Sequence, residues 1–335
     1  ILSTRVEARR YTFEAPMPAV ETQVTRKYKI LVDGEEIQSG TVVREPQKPI
    51  SRAAYVDTKL GTAHSRWMIA PGPWMRFSML KLSPDNQNDS WQAGYEPTFE
   101  SIGCFSHIHE WTIAGLGCMP TNGPLQTQVG DVKVVDSGYR SRIDKTTEQA
   151  PIGYYKVHLS DYDILAELTS SNRCGFQRYT FPEDREGSRV LIDLMIPSEY
   201  TYKLQEVYIR KTGAKTLVGY SHQLCPNTWS GGISQEYVVH FIAEFDRNIS
   251  GFGVWTENGV QEDTEVLKIR NPVDAGAIVE FETKDNQMVQ LRTGISYVSI
   301  ENARENLETE ISEPFGWDFD CLLYTSDAAD EVSPV

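Results

Sequence analysis

The sequence contains no apolar run approaching the ~20 residues that a helix needs to span a bilayer, so no membrane segment is expected. It is also short of positive charge. Lys and Arg number 32 against 47 Asp and Glu, for a net charge of −15. A surface this acidic repels phosphate backbones, which excludes nucleic acid as the expected partner. Cysteine is scarce. Cys104, Cys118, Cys174, Cys225 and Cys321 form no C-x-x-C pair, and their number is odd. That excludes a zinc ribbon or a dense disulfide framework, and Cys104 and Cys118 are expected as buried thiols. No signal peptide is visible. The chain begins at Ile1 rather than Met, so its N-terminus is expected to lie further upstream. Missing too is any alternation of strands with helical stretches, which disfavours a parallel (β/α)8 barrel.

What is abundant is aromatic side chain, with 16 Tyr, 12 Phe and 7 Trp in 335 residues. Such richness favours β-structure and flat apolar ligands such as sugar faces. Short alternating segments follow one another between Gly, Pro, Asn and Asp turns. Arg9–Phe13, Arg26–Val32, Glu36–Val43, Phe77–Leu82, Gly153–Leu159, Tyr162–Leu168 and a series from Cys174 to Ser296 all read as strands. Asp33-Gly34 marks a hairpin turn, and the stretch after Tyr139-Arg-Ser-Arg142 reads as a polar loop. The character changes at Ser299. Ile300, Ala303, Leu307 and Ile311 recur at helical spacing behind Ser299 as N-cap, which predicts a helix over 299–312.

The fold class is therefore all-β: a large antiparallel β-sandwich followed by a short C-terminal linker helix. Residues 1–44 are read as remnant strands of a preceding β-module and 45–298 as the sandwich. Residues 299–320 are the linker helix and the start of a link onward. Residues 321–335 show no periodicity and read as a non-native tail, of the kind produced by translated sequencing-adapter read-through.

Two of the six histidines fall in one stretch, Phe105-Ser-His107-Ile-His109-Glu110-Trp111. On a regular strand both imidazoles project from one face and Glu110 from the other. Gly115, Gly117 and Gly123 then allow tight turns or a close backbone approach. A metal site, an acid/base site, a sugar platform and a half-buried strand with backbone-bonded histidines all fit this pattern.

An ordered series of motifs narrows the choice. Gly61-Thr-Ala-His64, Ala70-Pro-Gly72 and Ser83-Pro-Asp85 come first, then Gly94-Tyr95, Gly103-x-Phe-Ser-His-x-His109 and Met119-Pro-Thr-Asn-Gly123. Pro151-x-Gly-Tyr-Tyr-x-Val157, Ala166-Glu-Leu-Thr169, Phe176-x-Arg-Tyr-Thr-Phe181, Val190-Leu-Ile-Asp193, Gly294-Ile-Ser-Tyr-Val298 and Ala303-Arg-Glu-Asn-Leu307 follow in order. Over about residues 53–320 this series resembles the N-terminal domain of glycoside hydrolase family 92, calcium-dependent exo-α-mannosidases of bacterial glycan foraging. The resemblance implies a β-sandwich that leads through a linker helix into an (α/α)6 catalytic barrel. It implies inverting hydrolysis of α-mannoside glycans, with acid, base and the calcium ligands mainly in that barrel, which is missing here. It also implies a periplasmic, cell-surface or secreted setting.

No catalytic residue and no metal ligand are therefore assigned to this chain, which alone is expected to be inactive. The expected substrate-binding residues are Trp91, Tyr95, His107, His109, Glu110 and Trp111. Trp91, in the loop before Gly94-Tyr95, offers an indole face for stacking on a pyranose. His107 and His109 would form a pocket wall. Glu110 and Trp111 stand where the family has Leu-Ser-Gly, and Ser65, Arg66 and Trp67 also depart from its first signature. Those positions are where substrate preference is expected to differ. A stand-alone carbohydrate-binding module and a purely structural sandwich are the alternative functions.

Overall fold

A computed structural model describes residues 20–46, 53–63, 69–86, 94–110, 113–196, 202–225, 227 and 231–328. The chain forms two compact units, Ile1–Tyr55 and Val56–Val335. In the first, β1 (Val24–Val32) and β2 (Glu35–Arg44) form an antiparallel hairpin. Its turn is Asp33-Gly34, with φ of +51° and +89°, the pair of positive values that a two-residue hairpin turn requires. Ile30, Leu31, Val32, Ile37 and Val43 are exposed. A lone hairpin buries too little to be stable by itself. The strand expected over Arg9–Phe13 lies outside the described residues.

The second unit holds two antiparallel sheets. Part of the larger is a run of adjacent strands: β12 (Lys203–Lys211), β13 (Thr216–Cys225), β14 (Gln235–Phe245), β19 (Met288–Ser296), β10 (Cys174–Thr180), β9 (Ile164–Ser170), β8 (Tyr155–Leu159) and β7 (Ser141–Gln149). The smaller contains β15 (Gly251–Thr256), β18 (Ala275–Glu280), β11 (Arg189–Asp193), β6 (Gly117–Thr121), β5 (Cys104–Ser106) and β3 (Ser83–Asp85), again as neighbours. Every strand pairing among the described residues is antiparallel. The alternation expected from sequence is what builds the core. Odd-numbered Leu217, Phe241, Ala243, Tyr179 and Leu291 of the large sheet face the small sheet, where Phe105, Cys118, Ile192, Val254 and Ala277 meet them. Each buried Leu, Val or Phe among them contributes roughly 1.5–3 kcal/mol.

The opposite face of the large sheet is covered by the C-terminal helices. Ser299 is extended and its hydroxyl accepts from the Asn302 N–H at 3.1 Å, capping α1 (Ile300–Leu307) as expected. The ladder then widens into a π-helical turn over Glu308–Ser312, followed by the short α2 (Glu313–Phe315) and α3 (Phe319–Ala328). Ala303, Leu307, Ile311, Phe319 and Leu322 form a second core with Cys174, Phe176, Val218 and Ile242. Gly294 lets α1 lie directly on β19: a Cβ there would stand 2.3 Å from the Ala303 carbonyl oxygen.

Several expectations are corrected. Phe77–Leu82 is not a strand. Phe77 takes φ +57°, and the Met79 and Leu80 N–H groups both donate to the Asn172 carbonyl, so pairing begins only at Ser83. The polar loop expected after Arg142 is strand β7, whose Glu148 draws Lys59 and Tyr155 from outside the strand. The stretch after Cys321, read as aperiodic, continues α3 to Ala328 and buries Leu322.

Candidate functional site

The histidine stretch leaves its strand earlier than its alternation suggests. Pairing of β5 with β6 ends at Ser106↔Gly117. Leu116 then turns at φ +56° and accepts from the His107 N–H. The chain therefore dips into the space between the sheets, and the two imidazoles go separate ways. His107 is fully buried. Its Nδ1 lies 2.7 Å from the Leu116 carbonyl, which only accepts, so Nδ1 carries the proton. Its Nε2 accepts from Thr293 of the opposite sheet at 2.8 Å. Burial pushes this ring down to about 4, against the Leu116 hydrogen bond, and nearby His109 adds to the fall. His109 is equally buried, with Nδ1 2.8 Å from the Lys81 carbonyl and Nε2 2.8 Å from Asp85. Both ring nitrogens therefore have an internal partner. Neither ring has a face open to a ligand, which corrects the expectation of a histidine pocket wall.

Tyr95 is buried too. Its hydroxyl donates to Glu148 at 2.9 Å, and Lys145 lies 5.2 Å above its ring. Glu148 also accepts from Tyr155 at 2.8 Å and from Lys59 at 2.8 Å. Burial raises this carboxyl, but Lys59, Lys145 and the Tyr155 hydroxyl outweigh it and hold it below its usual range. The cluster ties the segments around Lys59 and Tyr95 to β7 and β8; it offers no open face for a sugar.

Glu110 is different. Its side chain is 40 % exposed and pairs with Lys81, whose ammonium stands 5.5 Å over the half-buried Trp74 indole. Trp74 in turn packs 5.8 Å from the His109 ring and donates its N–H to Ser83. Of the six expected site residues, Glu110 is thus the one among the described residues that reaches solvent. Trp91 and Trp111 lie outside the described residues, as do His64, Trp67 and Trp229. Lys81, Asp85 and Trp74 were not singled out as site residues. The Ser83-Pro-Asp85 motif was the signal available for Asp85; nothing in the sequence pointed Lys81 toward Glu110.

Asp193 at the end of β11 is the one described carboxyl raised toward neutrality. Burial lifts it to about 7, against hydrogen bonds from the Tyr139 hydroxyl and the Met195 N–H, and Asp274 adds to the rise. It is enclosed in the core rather than aimed into a cleft. Along Arg185–Ser188 and Glu280–Lys284 lies a surface hollow of about 320 Å³, lined by none of the described site residues expected from sequence. Among the described residues no group of three or more His, Cys, Asp or Glu stands close enough to hold a metal ion. The described residues thus present no such group to the calcium that the resemblance implies.

Comparison with known proteins now decides the family. A model of the glycosyl hydrolase family 92 N-terminal domain matches residues 55–296. The chain belongs to this family. Among solved structures it is similar to the family GH92 α-mannosidase BT3965 from Bacteroides thetaiotaomicron, at 26 % identity and a TM-score of 0.71. That match covers 82 % of this chain and 37 % of the other. The family GH92 inverting mannosidase BT2199 from Bacteroides thetaiotaomicron VPI-5482 shares the fold at 17 % identity and a TM-score of 0.66, covering 84 % of this chain and 36 % of that one. The GH92 glycosyl hydrolase ccman5 does so at 21 % and 0.67, over 82 % and 36 %. This family 92 domain thus spans little more than a third of the solved chains it matches. A search of curated proteins finds no match.

Proposed function

We propose that this chain is the N-terminal β-sandwich of an inverting exo-α-mannosidase that acts on α-mannoside glycans. The sandwich supplies loops to the substrate pocket, and a separate (α/α)6 domain supplies the acid, the base and most ligands of a calcium ion. One observation carries the reading: residues 55–296 match the family domain, and the fold superimposes on little more than a third of a family 92 α-mannosidase. The interior agrees with it. An inverting glycosidase needs two carboxyl groups about 6.5–9.5 Å apart across the scissile bond, with room for a water. Among the described residues, the enclosed carboxyls Asp85, Glu96, Glu148, Glu167 and Asp193 are each held by internal donors.

The test is direct. The isolated chain, with α-linked mannobiose and calcium, releases mannose at the rate of a buffer blank. The full-length parent enzyme releases it far faster, and proton NMR of the first product shows the β-anomer. Turnover by the isolated chain well above the blank, or a parent that leaves mannobiose intact, overturns the reading.

A further inference from the structure

Three arginines converge on the segment that leads out of the sandwich. Arg292 of β19 lies opposite Glu244 on one neighbouring strand and Phe176 on the other. It is 6 % exposed. One nitrogen binds Glu244 at 2.8 Å, another donates to the Gly316 carbonyl at 2.7 Å, and the Trp317 ring lies 3.8 Å from its guanidinium. Arg178 of β10 repeats the pattern. It forms a two-pronged pair with its cross-strand neighbour Glu167 at 2.8 and 2.9 Å, stacks 4.3 Å from the Phe319 ring, and reaches Asp320 at 3.2 Å. Arg173, just before β10, pairs with Glu310 on the π-helical turn, which also accepts from the Arg173 N–H at 2.8 Å.

The chemistry explains why arginine serves here. A planar guanidinium can fork onto a carboxylate and still present a face to an aromatic ring, which a lysine cannot do at once. Phe176 closes the arrangement, with Trp317 and Phe319 meeting it edge-on at 6.0 and 5.2 Å. Gly316 turns at φ +54°, a conformation that favours glycine. Backbone carbonyl, two rings and two carboxylates of residues 310–320 are thus fixed to the outer face of the sheet. A flexible linker would show none of these contacts.

We propose that Arg178 and Arg292, backed by Arg173, are positioning residues. They set the direction in which the chain leaves the sandwich, and hence the placement of the sandwich loops against the catalytic domain; this consequence rests on the function proposed above. Catalysis is sensitive to such placement, since a misplacement of about 1 Å far from the chemistry can cost ~100-fold.

Hydrogen exchange on the 335-residue chain reads the clasp without any activity. Arg292→Ala is expected to speed exchange of the amides from Gly316 to Asp320 by about tenfold or more, while β13 and β14 stay protected. Arg292→Lys gives an intermediate value, and Arg270→Ala, at an exposed ion pair, changes nothing. In the full-length parent, Arg292→Ala then lowers kcat/KM on α-linked mannobiose about tenfold, carried by kcat, with the lysine variant between. A merely structural role lowers Tm and leaves the kinetics of the folded enzyme as they were. Unchanged exchange, or faster exchange with unchanged kcat/KM, overturns the proposal. If the wild-type parent releases no mannose, the functional reading fails by itself. Small-angle scattering of the parent then decides the clasp: Arg292→Ala must broaden the distribution of interdomain distances, and an unchanged profile refutes it.

Discussion

Two residues separate His107 from Glu110, yet the two side chains live in different solvents. His107 and His109 are wholly enclosed, each with both ring nitrogens bonded, whereas Glu110 keeps 40 % of its side chain in water beside Lys81 and Trp74. The enclosed pair belongs to the architecture: it joins β6, β3 and the large sheet through hydrogen bonds that water cannot replace. The exposed residue does little for the fold and is free to vary with whatever meets that surface. Adjacent residues of one motif can therefore answer to different requirements, and only the buried ones are fixed by folding.

Substitutions at the two ends of the motif sharpen this contrast. The largest effect is expected at His109→Ala, which leaves Asp85, 3 % exposed, without its ring partner. Breaking a buried pair from one side costs about 3–5 kcal/mol, to be read from urea unfolding. A loss under about 1 kcal/mol would place His109 with the exposed group instead.

The pH dependence comes next. His107 titrates at about 4 in the folded chain against an ordinary value of 6.5, and Asp193 at about 7 against 3.8. Between pH 4 and 6.5, unfolding takes up a proton at His107 and releases one at Asp193. Their contributions to the slope of stability with pH are opposite and offset one another. In Asp193→Asn the opposing contribution is gone, so stability rises more steeply with pH from about 4 to 6.5 than in the wild type. In His107→Gln the rising contribution of the histidine is gone, so stability falls relative to the wild type as pH rises from about 4 to 6.5. Urea midpoints across that range measure both, and parallel profiles for the two variants would break the account. The smallest effect is expected at Glu110→Ala. Removing an exposed ion pair costs about 0–1 kcal/mol, and a larger loss in the same unfolding assay would show that Glu110 is part of the core after all.

Much of the sandwich was legible in the sequence. Strands such as Gly251–Thr256 follow from alternation and turn residues, the hairpin at Asp33-Gly34 from its turn chemistry, and α1 from Ser299 and the Ala303, Leu307, Ile311 spacing. These features depend on neighbours a few residues away. Strand β7 was not legible, because its Asp144, Lys145, Thr146, Thr147 and Glu148 look like a loop until Lys59, Tyr95 and Tyr155 arrive to satisfy Glu148. The clasp was not legible either. Arg292 and Arg178 stand 24 and 142 residues from their contacts at Gly316 and Asp320.

The histidine stretch shows where the division falls. By itself the sequence determined that the chain is an antiparallel β-sandwich with a capped helix behind it, since local periodicity and turn chemistry dictate both. It also determined the family, through motifs in a fixed order. Only the tertiary structure decided which polar residues of Phe105–Glu110 face water. A strand tells its two faces apart by alternation, but a left-handed turn at Leu116 and acceptors at Lys81, Asp85 and Thr293 carry His107 and His109 into the core. Whether a polar side chain is a site or a strut depends on partners far along the chain, and those meet it only in the folded molecule.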